Sequence, residues 1–507
     1  MQKQESDIIF ALATAPTPAA LAVIRVSGTG AIAAVAKAFD RPGRLVESPG
    51  GRVHFGRIVV PAHGTPVDEV LVTVFRPTAG YTGEEAVEIS CHGSLAGVRR
   101  IQDILSGLGL RPAQPGEFTL RAFLNGKLDL SKAEAVAELV ESQTVEAHSL
   151  AMRRLSGGIT HAVDSLKERL VQVLAAVEVG LDYAEDEIDE AAGPDLARVR
   201  ALAADIEALA GTYTTGRLYQ EGARVAIVGP TNAGKSSLFN ALLKEDRAIV
   251  SPHRGTTRDV VEAAAALDGL PVRLFDTAGR RESGEEVELE GIRRAEALEA
   301  EADLLIFVVD GNDPEAAAVL AGAQNATAPP EANSGVPGAG AQPAPTAGTP
   351  ISGGPEAGTT AAPEGGDPGV PGGGARRVPV IGVWNKCDLS SAPAPPDGAV
   401  GTSATTGAGL AELARAVKSA LVAARGAETA APAGEQSVVV GNARQEQLLR
   451  RAAAAVGAYA AEAEAGIAPD LAVLHLQEAL SSLGEITGEV SSDDVLEAVF
   501  SGFCVGK

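Results

Sequence analysis

The stretch that most narrows what this chain can fold into is Gly229-Pro-Thr-Asn-Ala-Gly-Lys-Ser236. It follows the apolar run Val225-Ala-Ile-Val228 and opens a helical segment, the strand–loop–helix context of a phosphate-binding GxxxxGK[ST] loop. The glycines let backbone amides close on phosphate oxygens, and the helix N-terminus favours their charge. Lys235 is the candidate for the β and γ phosphates, and Ser236 for Mg²⁺. Three more motifs follow in order: Asp276-Thr-Ala-Gly279, Asn385-Lys-Cys-Asp388 and Thr402-Ser-Ala404. Asp276 suits the Mg²⁺ through water, and the Gly279 amide, after Thr277 and Ala278, suits the γ-phosphate. The Asp388 carboxylate can accept from the N1 and N2 hydrogens of guanine, which adenine lacks. Ser403 and Ala404 would close over the guanine O6. Between the first two motifs lies Gly255-Thr-Thr-Arg-Asp259, with Thr257 as second Mg²⁺ hydroxyl. The ordered set predicts a GTP hydrolase on a Ras-like, doubly wound α/β fold.

Two positions qualify that expectation. Arg280 follows Gly279, where Ras-type enzymes carry a water-orienting Gln, so another group must place the attacking water. Glu282, Glu285, Glu286, Glu288 and Glu290 lie just downstream, and for most of them a solvated acidic segment is the better reading. The Asn232 side chain could ligate a monovalent cation beside the phosphates and do the electrostatic work of an arginine finger, or be a plain loop residue.

Bulk properties bound the rest. The 507 residues suffice for two to four domains. A formal charge of −24 repels polyanions over most of the surface, so any nucleic-acid contact must be local. Cys91, Cys387 and Cys504 are odd in number and far apart, which argues against a disulfide framework and for a reducing compartment. No apolar run approaches the roughly 20 residues of a membrane span, and no signal-peptide pattern opens the chain. A cytoplasmic protein with no membrane partner is expected.

Along the chain, residues 1–125 read as α+β, with strands at Leu21–Val26, Arg52–Val60, Glu69–Phe75 and Ala86–Ser90. A helical period begins near 126. Ser131-Lys-Ala-Glu134 reads as a capping box, and Leu166, Leu170, Val173, Leu174, Val177 and Leu181 form one apolar face. The acidic run Asp182–Glu190 reads as a solvated helix end. Residues 219–428 alternate strands and helices, with strands at Val225–Val228, Val272–Phe275, Leu304–Val309 and Val378–Val383. Residues 324–376 interrupt them, with no aromatic residue and only Val336, Ile351 and Val370 as bulky aliphatics. Such a segment buries too little apolar area to offset its ordering entropy, so a disordered surface insertion is expected. Met1–Gln4 and Ala427–Gln436 are expected to be mobile as well. The helical period returns over 434–507, through Leu448, Leu449, Ala452, Val456 and Tyr459, then Leu474, Leu480 and Leu483. A last helix would be capped by Ser492 and carry Val495, Leu496, Val499 and Phe500. The expected architecture is a discontinuous helical domain, 126–218 with 434–507, into which the nucleotide domain is inserted.

Four strings outside the nucleotide domain carry a resemblance. They are Tyr81-Thr-Gly-Glu-Glu85, Glu88-Ile-Ser-Cys-His-Gly93, the long run Pro115–Ala135 and the terminal Cys504-Val-Gly-Lys507. With them the chain resembles the MnmE (TrmE) family of tRNA-modification GTPases over nearly its whole length. The resemblance implies an N-terminal domain that binds a tetrahydrofolate derivative (5-formyl or 5,10-methylene) and forms a homodimer. It implies an FAD-dependent MnmG-like partner completing a heterotetramer, and tRNA as substrate. The product would carry an aminomethyl or carboxymethylaminomethyl group on C5 of the wobble uridine. It also implies hydrolysis stimulated when two nucleotide domains meet around K⁺.

Carried over by motif, the folate contacts fall on Arg25, Glu88, Lys127 and Lys507, where charged side chains suit a glutamate tail and pterin NH groups. The plain alternative is surface cations, one of them paired with Glu88. The nucleotide contacts fall on Asn232, Ala233, Gly234, Lys235, Ser236 and Ser237. They continue over Ser251, Pro252, His253, Arg254, Gly255, Thr256 and Thr257, and then the three later motifs, including Lys386. K⁺ falls on Asn232, Ser251, His253 and Thr256, and Mg²⁺ on Ser236 and Thr257. The catalytic pair is Lys235 with Glu288 as the water-placing residue. Cys504 matches a thiol tied to modification, or is a small buried residue. The chain departs from the family at Pro16–Ala20, Ser251, His253 and Arg280. A GTP-dependent RNA-binding factor of ribosome assembly would share the nucleotide motifs, but neither a basic C-terminal module nor a use for the terminal tetrapeptide is evident. A metabolic folate enzyme is a weaker rival, because the nucleotide motifs are intact.

Overall fold

The computed structural model describes residues 7–182, 195–245, 261–276, 302–326, 378–389, 393–424, 438–467 and 469–506. Two six-stranded sheets and a helical body organise them.

The first sheet contains β1 (Ile9–Leu12), β2 (Leu21–Ser27), β3 (Arg52–Val59), β4 (Pro66–Phe75), β5 (Ala86–His92) and β6 (Arg111–Pro112), in the order β3-β4-β5-β2-β1-β6. All neighbours are antiparallel except β1 with β6. Alternation along β2 sends Ala22, Ile24 and Val26 into the core and Arg25 to the other face. On β5 it buries Val87, Ile89 and Cys91 and leaves Glu88 beside Arg25, its register partner. The helix Leu95–Gly107 covers the core face with Val98, Ile101 and Leu105, and Ser94 caps it by accepting from the Gly97 amide at 3.4 Å. The four expected strands are present with ends shifted by up to three residues. β1 and β6 are too short to leave a periodic signature.

The helices Leu130–Glu141, Val145–Leu155, Gly158–Asp182 and Leu196–Gly211 precede the second sheet, and Ala443–Glu464, Pro469–Thr487 and Asp493–Ser501 follow it. Leu166, Leu170, Val199, Leu202 and Ile206 from the first group share one core with Leu449, Val456, Tyr459, Leu476 and Leu483 from the second. The helical part is therefore one body made from two stretches of chain. Glu134 stitches them together. Its carboxylate accepts from Arg444 Nε at 2.7 Å and Gln445 Nε2 at 2.6 Å, while Arg444 also donates to the Glu485 and Ile486 carbonyls at a helix end.

That role corrects the expected capping box. The cap is Asp129, which accepts from the Lys132 amide at 2.8 Å; Ser131 sits inside the helix and donates to Asp129. A carboxylate accepts more strongly than a hydroxyl, and Glu134 is drawn away to Arg444. Ser492 does cap the last helix. Leu474 lies on the outer face at 60% exposure, and Ala472, Leu476 and Ala479 make the buried stripe instead. Asp182 closes the helix Gly158–Asp182; the remainder of the acidic run lies outside the described residues, as do Met1–Gln4 and Ala427–Gln436.

The second sheet contains β7 (Ala223–Val228), β8 (Val261–Leu267), β9 (Leu270–Asp276), β10 (Leu304–Asp310), β11 (Val380–Asn385) and β12 (Ala399–Gly401), in the order β12-β11-β10-β7-β9-β8. All pairs are parallel except β8 with β9. Sequence reading missed β8, because Val261-Glu-Ala-Ala-Ala-Ala-Leu267 has the composition of a helix. The two-residue turn Asp268–Gly269, with φ of 49° at the aspartate and 79° at the glycine, folds it back onto β9. Ile306 and Val308 face the helices Lys235–Glu245 and Leu410–Ala424, while Val309 packs with Ala316, Leu320 and Trp384 on the other side. The helix Ala316–Ala326 includes Gln324, Asn325 and Ala326, so the expectation of a disordered insertion does not hold for its first three residues. Residues 327–376 lie outside the described residues.

Arg154 joins the two bodies where the chain re-enters the helical part. It is 5% exposed, donates from Nε to the Val439 carbonyl at 2.8 Å, and pairs with the buried Glu138 through Nη1. Ala147 and Leu150, about two turns and one turn earlier, belong to the core of the second sheet. Breaking a buried pair leaves an uncompensated charge, so Arg154→Met should destabilise the protein by about 3–5 kcal/mol. Denaturant unfolding followed by helical circular dichroism checks this. A variant within 1 kcal/mol of the parent, on the order of an exposed pair, would refute the junction role.

Candidate functional site

The phosphate loop leaves β7 at Val228 and enters the helix Lys235–Glu245 at Lys235. Two of its glycines are required by close approach. At Gly229, φ is 136° and a Cβ would lie 2.2 Å from the Val308 carbonyl oxygen. At Gly234, φ is 94° and a Cβ would lie 2.3 Å from Asn385 Nδ2. Ala233 is buried, and its carbonyl accepts from Asn385 Nδ2 at 2.9 Å. Asn385 in turn accepts from Thr402 Oγ1 at 3.3 Å. The loop, the end of β11 and the start of the Thr402–Ala404 motif are thus one hydrogen-bonded unit.

Lys235 is buried and donates to the Gly229 and Pro230 carbonyls at 2.8 and 2.7 Å. Burial pulls its ammonium below the usual lysine range, and the Asp276 carboxylate pushes in the opposite direction. Asp276 is buried at the end of β9, beside β7. Asn232, Ser236, Ser237 and Asp388 are exposed, open to a ligand. Ser403 is buried, with its hydroxyl accepting from the Thr406 amide at 3.1 Å, and Ala404 is half-buried. A hydroxyl on Ser236 and a carboxylate on Asp276 are hard oxygen donors of the kind Mg²⁺ prefers. Ser251, Pro252, His253, Arg254, Gly255, Thr256, Thr257, Thr277, Ala278, Gly279, Arg280 and Glu288 lie outside the described residues. Cys387 is exposed as a residue, but partial desolvation of its sulfur, with Asp388 nearby, raises its thiol.

A second constellation sits on the first sheet. Arg25 donates to Glu88 Oε1 from Nε at 3.0 Å and Nη2 at 2.9 Å, which is the pairing considered as the plain alternative. The same guanidinium lies over the rings of Tyr81 and Phe118, at 5.4 and 5.7 Å from their centroids. Its Nη1 donates to the Gly506 carbonyl at 3.3 Å, so the C-terminal tail reaches this face. The tail is anchored by Phe500 and Phe503, which pack with Leu120 and Leu130. Cys504 is exposed, which removes the reading of a buried apolar residue. Lys127 is exposed and donates to the Thr78 carbonyl at 2.8 Å; Lys507 lies outside the described residues. Tyr81 and Phe118 were not singled out beforehand, although both stand inside the quoted strings. Cys91 is buried, and burial, then Asp68, pushes its thiol up to about 11.

Elsewhere in the N-terminal part, Arg111 and Arg121 bridge Asp7 and Glu117. Burial pushes both carboxyls up, but hydrogen bonds from Arg111 and Arg121 outweigh it and hold them below their ordinary values.

Comparison with known proteins covers the whole chain. The model of the MnmE helical domain matches residues 130–504, and that of the GTP-binding protein TrmE N-terminus matches residues 8–127. A tRNA modification GTPase MnmE of Treponema denticola is 36% identical over 99% of this chain and 98% of its own length. One from Thermus thermophilus is 37% identical over 99% of both chains, and one from Moorella thermoacetica 36% over 99% of both. Among solved structures, the G domain of the T. maritima FeoB iron transporter aligns with 40% of this chain and 98% of its own at 22% identity, with a TM-score of 0.22, too low to carry weight.

Gly234→Ala should weaken GTP binding by more than about tenfold, since the new Cβ strikes Asn385 at a backbone angle that favours glycine. Titration with a fluorescent GTP analogue reads this, and unchanged affinity would overturn the packing argument. The Asp7 and Glu117 carboxyls titrate lower folded than unfolded. Their stabilisation is therefore complete above an ordinary glutamate value of 4.5 and is lost as pH falls through the lowered folded values. Melting temperature should drop on acidification below that point, and the drop should be shallower in Arg111→Gln/Arg121→Gln.

Proposed function

The chain belongs to the MnmE family of tRNA modification GTPases, and from that premise we propose that its GTP hydrolysis gates a folate-dependent modification at C5 of the wobble uridine. The product carries an aminomethyl or carboxymethylaminomethyl group, whose one-carbon unit comes from a tetrahydrofolate derivative. Residues 1–125 bind the folate and form the homodimer. Residues 126–218 and 434–507 form the helical domain, and 219–428 the nucleotide domain. An FAD-dependent MnmG-like partner completes the tRNA-modifying heterotetramer.

The observation that carries the folate reading is the meeting of Arg25, Glu88, two aromatic rings and the C-terminal tail on one face. A guanidinium suits the glutamate tail of folate, a carboxylate suits pterin NH groups, and the half-buried Tyr81 ring suits its flat ring system, while the fully buried Phe118 backs the Arg25 guanidinium. Lys127 and Lys507 would add cationic charge, and Cys504 would offer an exposed thiol to the modifying chemistry. Folate, when bound, supplies the carbon; the residues named here bind and orient it.

In the nucleotide domain, Lys235 neutralises phosphate charge, Asp388 reads guanine, and Ser236 with Thr257 holds Mg²⁺. Asn232, Ser251, His253 and Thr256 hold K⁺, and Glu288 orients the attacking water. The exposed position of Asn232 in the phosphate loop, at φ of 63°, supports the K⁺ reading, because its side chain is accessible to a cation. No helix among the described residues is long and apolar enough to cross a membrane. A cytoplasmic location fits a tRNA substrate.

GTP turnover in KCl against NaCl at equal ionic strength is the first test. Stimulation by K⁺ of at least about tenfold, equivalent to 1.4 kcal/mol of barrier, should be lost in Asn232→Ala. Equal rates in both salts would remove the K⁺ mechanism. Independently, Arg25→Ala should abolish binding of 5-formyltetrahydrofolate while leaving GTP turnover intact. Folate binding that survives this substitution would reassign the face.

A further inference from the structure

Two residues of the nucleotide site hold a left-handed backbone conformation, which an asparagine tolerates and a lysine disfavours. Asn232 has φ of 63° and Lys386 has φ of 66°, both in the left-handed region. The two are tied to each other, since Lys386 Nζ donates to the Asn232 carbonyl at 2.9 Å. A lysine ammonium on a four-carbon stem does not stay on one carbonyl without a further restraint.

Asp310 supplies that restraint. It is the last residue of β10 and stands opposite Asn385 in the parallel register, one residue from Lys386. Its Oδ2 accepts from Lys386 Nζ at 2.6 Å. Its Oδ1 accepts from the Asn312 amide at 3.0 Å and from Asn312 Nδ2 at 3.3 Å, so the carboxylate is fixed at both oxygens. The strand ends are themselves locked, with the Gly311 amide donating to the Asn385 carbonyl at 2.9 Å. Burial pushes the Asp310 carboxyl up, but the hydrogen bonds from Lys386 and Asn312 hold it below the usual range, so it is ionised.

We propose that Asp310 is a positioning residue for GTP hydrolysis: it holds the Lys386 ammonium on the Asn232 carbonyl and so keeps the phosphate loop in its nucleotide-binding conformation. Asp310 belongs to none of the nucleotide motifs. It acts on the ligand only through Lys386 and the loop. The ion pair is half-exposed, with side-chain exposures of 28% and 34%, and such pairs add little to global stability. The consequence of losing it therefore falls on the loop and not on the fold. A second consequence, for the cation site at Asn232, rests on the K⁺ reading above.

The test is a double-substitution cycle with Asp310→Ala and Lys386→Ala. It is read by the release rate of a fluorescent GDP in Mg²⁺ and NaCl, by KM and kcat for GTP, and by the melting midpoint. NaCl keeps the release measurement independent of any K⁺ effect, so failure of the K⁺ reading leaves it interpretable. Asp310→Ala should speed release and raise KM about tenfold while shifting the melting midpoint by less than a few degrees. In the Lys386→Ala background the same substitution should change release by less than twofold, because the residue it acts through is gone. Asp310→Asn keeps the shape and one acceptor oxygen without the charge, and should fall between the parent and Asp310→Ala. Parental release and KM in Asp310→Ala would overturn the proposal. So would a tenfold effect that persists in the Lys386→Ala background, or a KM change matched by an equal loss of thermal stability in both Asp310 variants.

Discussion

The fold depends on closing a long detour. The chain leaves the helical body at the helix Leu196–Gly211 and does not return until Val438, yet the two helical stretches share one core. Loop closure of this size costs only slightly more than closure of one half as long, since the cost grows with the logarithm of length. What it requires is a well-defined seam. Apolar contact across Leu202, Ile206, Leu449 and Val456 supplies most of the attraction, but apolar contact alone tolerates sliding. Glu134 with Arg444 and Gln445, and Arg154 with Glu138 and the Val439 carbonyl, add directional bonds that fix the register. Their value is in specifying one arrangement, because buried ion pairs gain little net free energy over an apolar seam.

From that seam follows the position of both sites. The helix Val145–Leu155 contributes Ala147 and Leu150 to the core of the second sheet, so the nucleotide-binding unit is seated on the helical body by shared packing. The helix Asp493–Ser501 carries Phe500 and brings the C-terminal tail to Arg25 on the first sheet. Each site is then built by strand geometry. In the parallel sheet, the C-terminal ends of β7, β10 and β11 converge where open α/β sheets bind ligands. In the antiparallel sheet, the direct pairing of Arg25 with Glu88 on the face opposite the core makes a charged cross-strand pair.

The nucleotide site was legible because each motif is short, local and dictated by chemistry that few residues can perform. Gly229 and Gly234 are glycines because a Val308 carbonyl and an Asn385 amide leave no room, and that requirement is visible as a pattern. The strands of β2, β5, β7 and β10 were legible from alternation or from short apolar runs. Long-range partners left no local trace. Glu134 looked like half of a capping box, since nothing near it announces Arg444, and β8 went unread because its run of alanines carries no strand alternation. Leu474 has the right spacing for a core position, yet the small residues Ala472 and Ala479 let the helix Pro469–Thr487 pack closely on another side.

The chain has a single tryptophan, and its place has an optical consequence. Trp384 is 3% exposed on β11, one residue before Asn385, with its indole Nε1 donating to the Pro393 carbonyl at 3.1 Å. Its ring lies against Gly311, directly after Asp310. Indole emission is sensitive to local polarity, so fluorescence excited selectively at the single tryptophan reports on β11. The protein therefore carries a built-in, label-free emitter at the point where the phosphate loop, β10 and β11 are tied together.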